Sequence, residues 1–168
     1  MIIRRETESD LPAIYHVNES AFGRPNEAKL VNALRETVTP FLSLVAEVGG
    51  EVVGHILFTP VTVKPTGEAW QAVALGPMGA LPAFQNQGIG SALVQVGLAA
   101  CHAAGYGVVF VLGHPNFYPR FGFTPAPPRG MPCEFVVPND VFMVVELIPD
   151  TLGRRQGVVH YHPAFKGV

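Results

Sequence analysis

The sequence predicts a single α/β domain with a mixed β-sheet flanked by helices, and three observations carry that expectation. The chain has 168 residues, the size of one compact domain. LSLVAEV, Gly49-Gly50 and EVVGHILF read as two antiparallel strands joined by a two-residue loop that tolerates positive φ at both positions. A helical pattern at 88–104 lies between strand patterns at 70–81 and 108–112. That is a βαβ unit, whose strands should be parallel neighbours joined by a right-handed crossover. Antiparallel and parallel pairs in one chain make a mixed sheet.

The elements follow in order. Residues 2–5 read as a short strand. Thr7 with Asp10 three residues on is a capping-box-like start, and Pro12 is tolerated in the first turn of a helix that runs to about Ala21. Pro25 opens a second helix through Glu36, with Ala28, Leu30, Val31 and Leu34 on one side. After the hairpin, the Thr, Pro and Gly residues of 59–67 read as a turn. The strand at 70–81 is interrupted by Gly76-Pro77, where proline withholds an N–H from the ladder. In the next helix Ile89, Leu93, Val96 and Ala100 fall at i, i+4, i+7 and i+11, which predicts them as one buried face. The prolines of 124–138 make that segment a loop, and strands are expected at 142–148 and 158–162. There is no internal repeat and no linker.

Composition excludes several classes. The formal charge is −2, with no basic excess to draw the chain to nucleic acid. Hydrophobic residues make up 48% and charged residues 14%, against about 25% charged in an ordinary globular chain. That surplus points to a self-association face and hence a homodimer. Cys101 and Cys133 form no CxxC pattern, so neither a zinc site nor a disulfide framework is expected. MIIRRETESD has no apolar core of signal-peptide length, which makes the cytoplasm the default address. Residues 93–113 carry no Asp, Glu, Lys or Arg, yet Gln95, His102, Gly105 and Gly107 mark a helix, a glycine cap and a strand rather than a membrane span.

The segment Gln85-Asn86-Gln87-Gly88-Ile89-Gly90 follows a strand and opens a helix. Free N–H groups at a helix start, with glycines that allow close backbone approach, suit a phosphate or pyrophosphate, though the same turn also serves as a tight connection. A dinucleotide site fits worse. Leu93 stands where a third glycine belongs, and 108–112 holds no acidic residue for a ribose.

On these residues the sequence resembles the GNAT superfamily of acetyl-CoA-dependent N-acetyltransferases. Its pyrophosphate turn reads Arg or Gln, two residues, Gly, one residue, then Gly or Ala, and Gln85, Gly88 and Gly90 fill it. The element order agrees over nearly the whole chain. VLGHPNFYPRFGF, with LGP ahead of the turn and FMVVEL near the end, is similar to the YhbS-like group of predicted acetyltransferases.

The resemblance implies one domain over 1–168 with a centrally splayed sheet, and acetyl-CoA as co-substrate with no metal. It implies that the backbone at Met78, Gly79 and Ala80 meets the pantetheine and thioester, where N–H groups stabilise a developing oxyanion. Gln85, Asn86, Gln87, Gly88, Ile89, Gly90 and Ser91 then hold the pyrophosphate. A primary amine, on a small molecule or a protein, attacks the thioester directly. Tyr118 occupies the place of the acid that protonates the departing thiolate; a phenol of pKa about 10 and a thiol of about 8.5 are matched well enough to share the proton.

The general base is open. Many members place a Glu on the long strand, but VALGPMGAL has no ionisable side chain. His114, after the next strand, is either that base or a residue positioning the HPNFYPRFGF turn, and His55 and Glu47 are reserves. Phe22, Arg24 and Glu27 lie between the first two helices, where the family binds its acceptor. Arg24 there suits a substrate carboxylate or is solvated surface. Arg129 is the lone cation of the proline-rich loop, which lines the acceptor side or only connects two strands. His160 and His162 alternate on a strand without an evident third ligand, so no metal is expected. The expected activity is N-acetyl transfer. The alternatives are a non-catalytic acyl-CoA-binding module of this fold and an interaction protein without coenzyme.

Overall fold

The structure, a computed structural model, describes residues 1–64, 72–153 and 155–168. Nine strands and three α-helices follow one another among these residues: β1 Ile2–Arg5, α1 Leu11–Phe22, α2 Asn26–Thr37, β2 Leu42–Val48, β3 Glu51–Pro60, β4 Thr62–Lys64, β5 Ala72–Ala80, α3 Ile89–Ala103, β6 Val108–Leu112, β7 Thr124–Pro125, β8 Phe142–Glu146 and β9 Val158–His160. The expected strand at 70–81 is β5, its first two residues lying outside the described set.

Seven strands form a mixed sheet in the order β1-β2-β3-β5-β6-β8-β7, and β4 pairs with β9 separately. β1, β2 and β3 are antiparallel. The loop between β2 and β3 has φ of 58° at Gly49 and 81° at Gly50, as a two-residue hairpin of this hand requires. β5 and β6 are parallel from Ala72↔Val108 to Leu75↔Val111, and the register stops there. Residues 76–80 carry β5 onward past that pairing, beginning at Gly76, whose φ of 144° suits glycine, and Pro77, which has no N–H for a ladder.

The residues group into two compact units. The first holds Met1–Thr59, Gly76–Ala99 and Pro163–Val168. Its core is built by Ile14 of α1, Leu30, Val31 and Leu34 of α2, and Val45 and Leu57 of the hairpin, with Phe165 packed against it. The expected capping pattern closes a 3₁₀ turn, Glu8–Asp10, that leads into α1: the Asp10 carboxylate accepts from the Thr7 N–H at 2.7 Å and binds Arg4 through two bonds of 2.7 and 3.0 Å. The arginine beside it holds the Asp10 carboxyl well below the usual carboxylate range.

The predicted buried face of α3 is rotated by about one residue. Ile89 and Leu93 are buried as expected, but Val94 is buried too while Val96 is 40% exposed. The reason is Gly97: a Cβ there would stand 2.6 Å from the Phe58 ring, so the aromatic packs where an alanine would project.

The second unit holds Pro60–Leu75 and Ala100–His162. β6 and β8 pair antiparallel, and Phe110 stacks on Phe142 with centroids 5.5 Å apart. The proline-rich segment is not all loop, since β7 pairs with β8 and Cys133 bridges to Val159. The final strands are shorter than expected, ending at Glu146 and His160.

Candidate active site

In the first unit, β5 ends in Met78, Gly79 and Ala80, and the turn to α3 begins five residues beyond Ala80. An ideal Cβ on Gly79 would lie 2.8 Å from Ala21 Cβ and 3.7 Å from Phe22 Cε2, so the end of α1 packs directly on the bare backbone of the strand. Leu81 N–H bonds Val53 O at 2.8 Å, fixing the exit of β5 to the hairpin. The Gln85 side chain then donates to Ala80 O at 3.1 Å and the Gln87 side chain to Ala83 O at 3.0 Å. Both amides hold the loop's own backbone rather than reaching outward.

The turn itself is open. Residues 85–88 are exposed, Asn86 and Gly88 have φ of 61° and 85°, and space surrounds the position of a Gly88 Cβ. Ala92 N–H bonds Gly88 O at 3.0 Å, so the N–H groups of Ile89, Gly90 and Ser91 fall in the first turn, which an α-helix leaves without internal partners. A helix start of this kind, carrying partial positive charge and bordered by glycine, fits the pyrophosphate of coenzyme A.

The same unit accounts for the reserve bases. His55 is fully buried. Asn18 Nδ2 donates to Ile14 O and to His55 Nδ1, both at 3.0 Å, which makes Nδ1 an acceptor and leaves the proton on Nε2, 2.8 Å from Ser43 Oγ. Burial, with the Arg35 charge as a smaller cause, pushes the imidazole down to about 3, so it is neutral and structural. Glu47 is paired with Arg4 at 3.2 Å. Arg24 grips the buried carboxylate of Glu27 through Nε and Nη2, with contacts of 2.8 and 2.7 Å, so its charge is matched within α2's first turn. Asn18 and Ser43 escaped the sequence reading. The available signal was a polar residue at i+4 from Ile14, on the face that has to be buried.

In the second unit, β6 leads through Gly113 and His114 into a short turn of helix, Tyr118–Phe121. His114 has an exposed side chain, and its carbonyl accepts from Phe117 N–H at 3.1 Å and Tyr118 N–H at 3.5 Å, so its backbone organises the turn. Tyr118 is 7% exposed and meets Phe117 and Phe123 edge-on at 5.0 and 5.7 Å. Any side chain at Gly113 would collide with the Tyr118 ring. Burial pushes the Tyr118 hydroxyl up to about 12, so it stays protonated at neutral pH.

Arg129 pairs with Glu146 at 2.7 Å, which ties the proline-rich segment to β8. His160 Nδ1 lies 2.5 Å from Glu134 Oε2. Among the described residues no group of three acidic, His or Cys side chains is arranged to hold a metal ion, and no helix is long and apolar enough to cross a membrane.

Residues 2–126 match the acetyltransferase (GNAT) domain family. The chain belongs to the GNAT acetyltransferases. It is 37% identical over 166 residues, 98% of both chains, to the uncharacterized N-acetyltransferase YhbS of Escherichia coli K12. The crystal structure of E. coli YhbS in complex with CoA covers 98% of this GNAT chain with a TM-score of 0.92 and 36% identity, over 91% of its own length. A Brucella melitensis GNAT acetyltransferase in complex with acetyl-CoA covers 98% at a TM-score of 0.80 and 36% identity, over 97% of its length. The GNAT fold expected from the turn and the element order is therefore established, as is the acetyltransferase class.

Proposed function

We propose that the chain moves the acetyl group of acetyl-CoA to a primary amine. The observation that carries this reading is the open, glycine-bordered start of α3, in a fold shared over nearly the whole chain with relatives that bind CoA or acetyl-CoA. In this reading the N–H groups of the turn from Gln85 to Ser91 take the pyrophosphate, and the backbone at Met78, Gly79 and Ala80 runs along the pantetheine and polarises the thioester carbonyl. The neutral amine attacks that carbonyl; its C–N bond forms as the C–S bond breaks. Tyr118 gives its proton to the departing thiolate. The pKa of about 12 means that the hydroxyl arrives protonated; it lies above the thiol's value of about 8.5, so the proton is shared with the sulfur in the transition state rather than released ahead of it. The proton of the amine goes to water or to the exposed imidazole of His114. Phe22 and Arg24 stand at the acceptor side.

The first test is the thermal unfolding temperature with acetyl-CoA, free CoA and NAD in parallel. A ligand at 100 times its Kd stabilises by about 2.7 kcal/mol, a shift of several degrees for a chain of this size. A rise with both CoA forms and none with NAD is the expected result, followed by amine-dependent release of free thiol. No rise with any of the three, in folded protein free of copurified coenzyme, would refute the reading.

A further inference from the structure

The end of α1 that packs on Gly79 also defines which amines fit. Tyr15, Glu19 and Phe22 follow one another at i, i+4 and i+7, so they line one flank of α1, next to the face that Ile14, Asn18 and Ala21 turn inward. Phe22 is 42% exposed, large for an aromatic, and its ring edge is 3.7 Å from where a Gly79 Cβ would be. Glu19 is exposed and has no ion-pair partner among the described residues. Phe22 is also the last residue of α1, closed by Gly23 at φ 67°, so the carbonyl end of the helix dipole adds partial negative charge at the same place. The nearby group suited to a carboxylate, Arg24, already has Glu27 as its counterion.

From these features we infer that the acceptor is a diamine-type cation. One nitrogen attacks as the neutral amine beside Gly79, and a second, still protonated, is held by Glu19 and the Phe22 ring. Aromatic faces and carboxylates both attract ammonium, and neither favours an anionic substrate. Glu19 lies three residues back from Phe22, on the same flank of α1, so its carboxylate and the Phe22 ring are neighbours that can hold one ammonium together. The inference rests on the proposed acetyl transfer.

The test compares cadaverine with 5-aminovalerate, which has the same number of carbons but ends in a carboxylate where cadaverine ends in CH2NH3+, at saturating acetyl-CoA. The expected result is a kcat/KM for cadaverine higher by about tenfold or more, the size of one cation–π contact and one exposed ion pair together. Glu19→Lys, at an exposed position, should erase that preference by raising the KM for cadaverine while kcat changes little, and Phe22→Ala should reduce it. Equal rates for the two acceptors, a preference for aminovalerate, or a ratio unchanged by Glu19→Lys overturns the inference while leaving acetyl transfer intact. Absence of transfer to both, with acetyl-CoA still raising the unfolding temperature, overturns the acceptor class and leaves coenzyme binding standing.

Discussion

Two strand ends in this chain are finished in opposite ways. β5 runs out into Met78, Gly79 and Ala80 and an open turn, where bare backbone is presented and side chains such as Gln85 and Gln87 only brace the loop. β6 runs out into a turn packed with Phe117, Tyr118, Phe121 and Phe123, where one buried hydroxyl is presented and backbone carbonyls only brace the turn. The difference teaches where substitutions should matter. Under the proposed acetyl transfer, the first end depends on φ angles and on the absence of a Cβ at its glycines; the second depends on a single functional group held by aromatic packing.

The largest effect should come from the aromatic end. Tyr118→Phe keeps the ring and its packing, so turnover is expected to fall by about 10² to 10⁴ while the thermal shift with acetyl-CoA is retained. Wild-type turnover in that variant would break the contrast, because side-chain chemistry would then be absent from both ends.

Acid separates the two regions next. His55 is neutral in the folded state down to about pH 3, whereas its ordinary value is 6.5. The unfolded chain therefore binds a proton that the folded chain refuses, and stability is lost as pH falls below 6.5, at about 1.4 kcal/mol for each pH unit until the folded value is reached. The Asp10 carboxylate adds to the loss only below its ordinary value of 3.8. Tyr118, raised to about 12, contributes no slope in this range. Calorimetry between pH 7 and 4 should show the slope in wild type and a flatter one in His55→Gln. Equal slopes would remove the buried imidazole from the account.

Gly88→Val tests the backbone end. A β-branched residue at φ 85° is strained although space is open around it, and it adds bulk next to the N–H groups proposed to take the pyrophosphate. The protein should fold with a modestly lower unfolding temperature, and the roughly 2.7 kcal/mol of stabilisation from saturating acetyl-CoA should vanish. The smallest effect belongs to Gln85→Ala. Losing one exposed bond to Ala80 O should weaken acetyl-CoA by less than about tenfold, measured as the change in Kd. A loss far beyond that would mean that the amide meets the coenzyme itself.

The contrast also explains what could be read in advance. The hairpin at Gly49-Gly50, the first two helices and the glycine turn were legible because each is dictated by local rules: positive φ, caps and periodicity. The rotation of α3 was not, because it depends on Phe58 filling the space beside Gly97, a contact between residues far apart in sequence. The same holds for the site. Gly88 and Gly90 advertise themselves in the sequence, whereas the partners of His55 and of Arg24 become visible only when Asn18, Ser43 and Glu27 are seen beside them. Short strands such as β7 escaped because prolines in 124–138 mask a two-residue ladder.

The Asn18 amide that donates to His55 makes this ring a built-in reporter. Its proton is confined to Nε2, so in nitrogen NMR the two ring signals should stay far apart and unmoved from neutral pH to about pH 4. Collapse of the His55 pair would then announce that α1 has come away from the hairpin, a local event readable on a single residue before the rest of the chain unfolds.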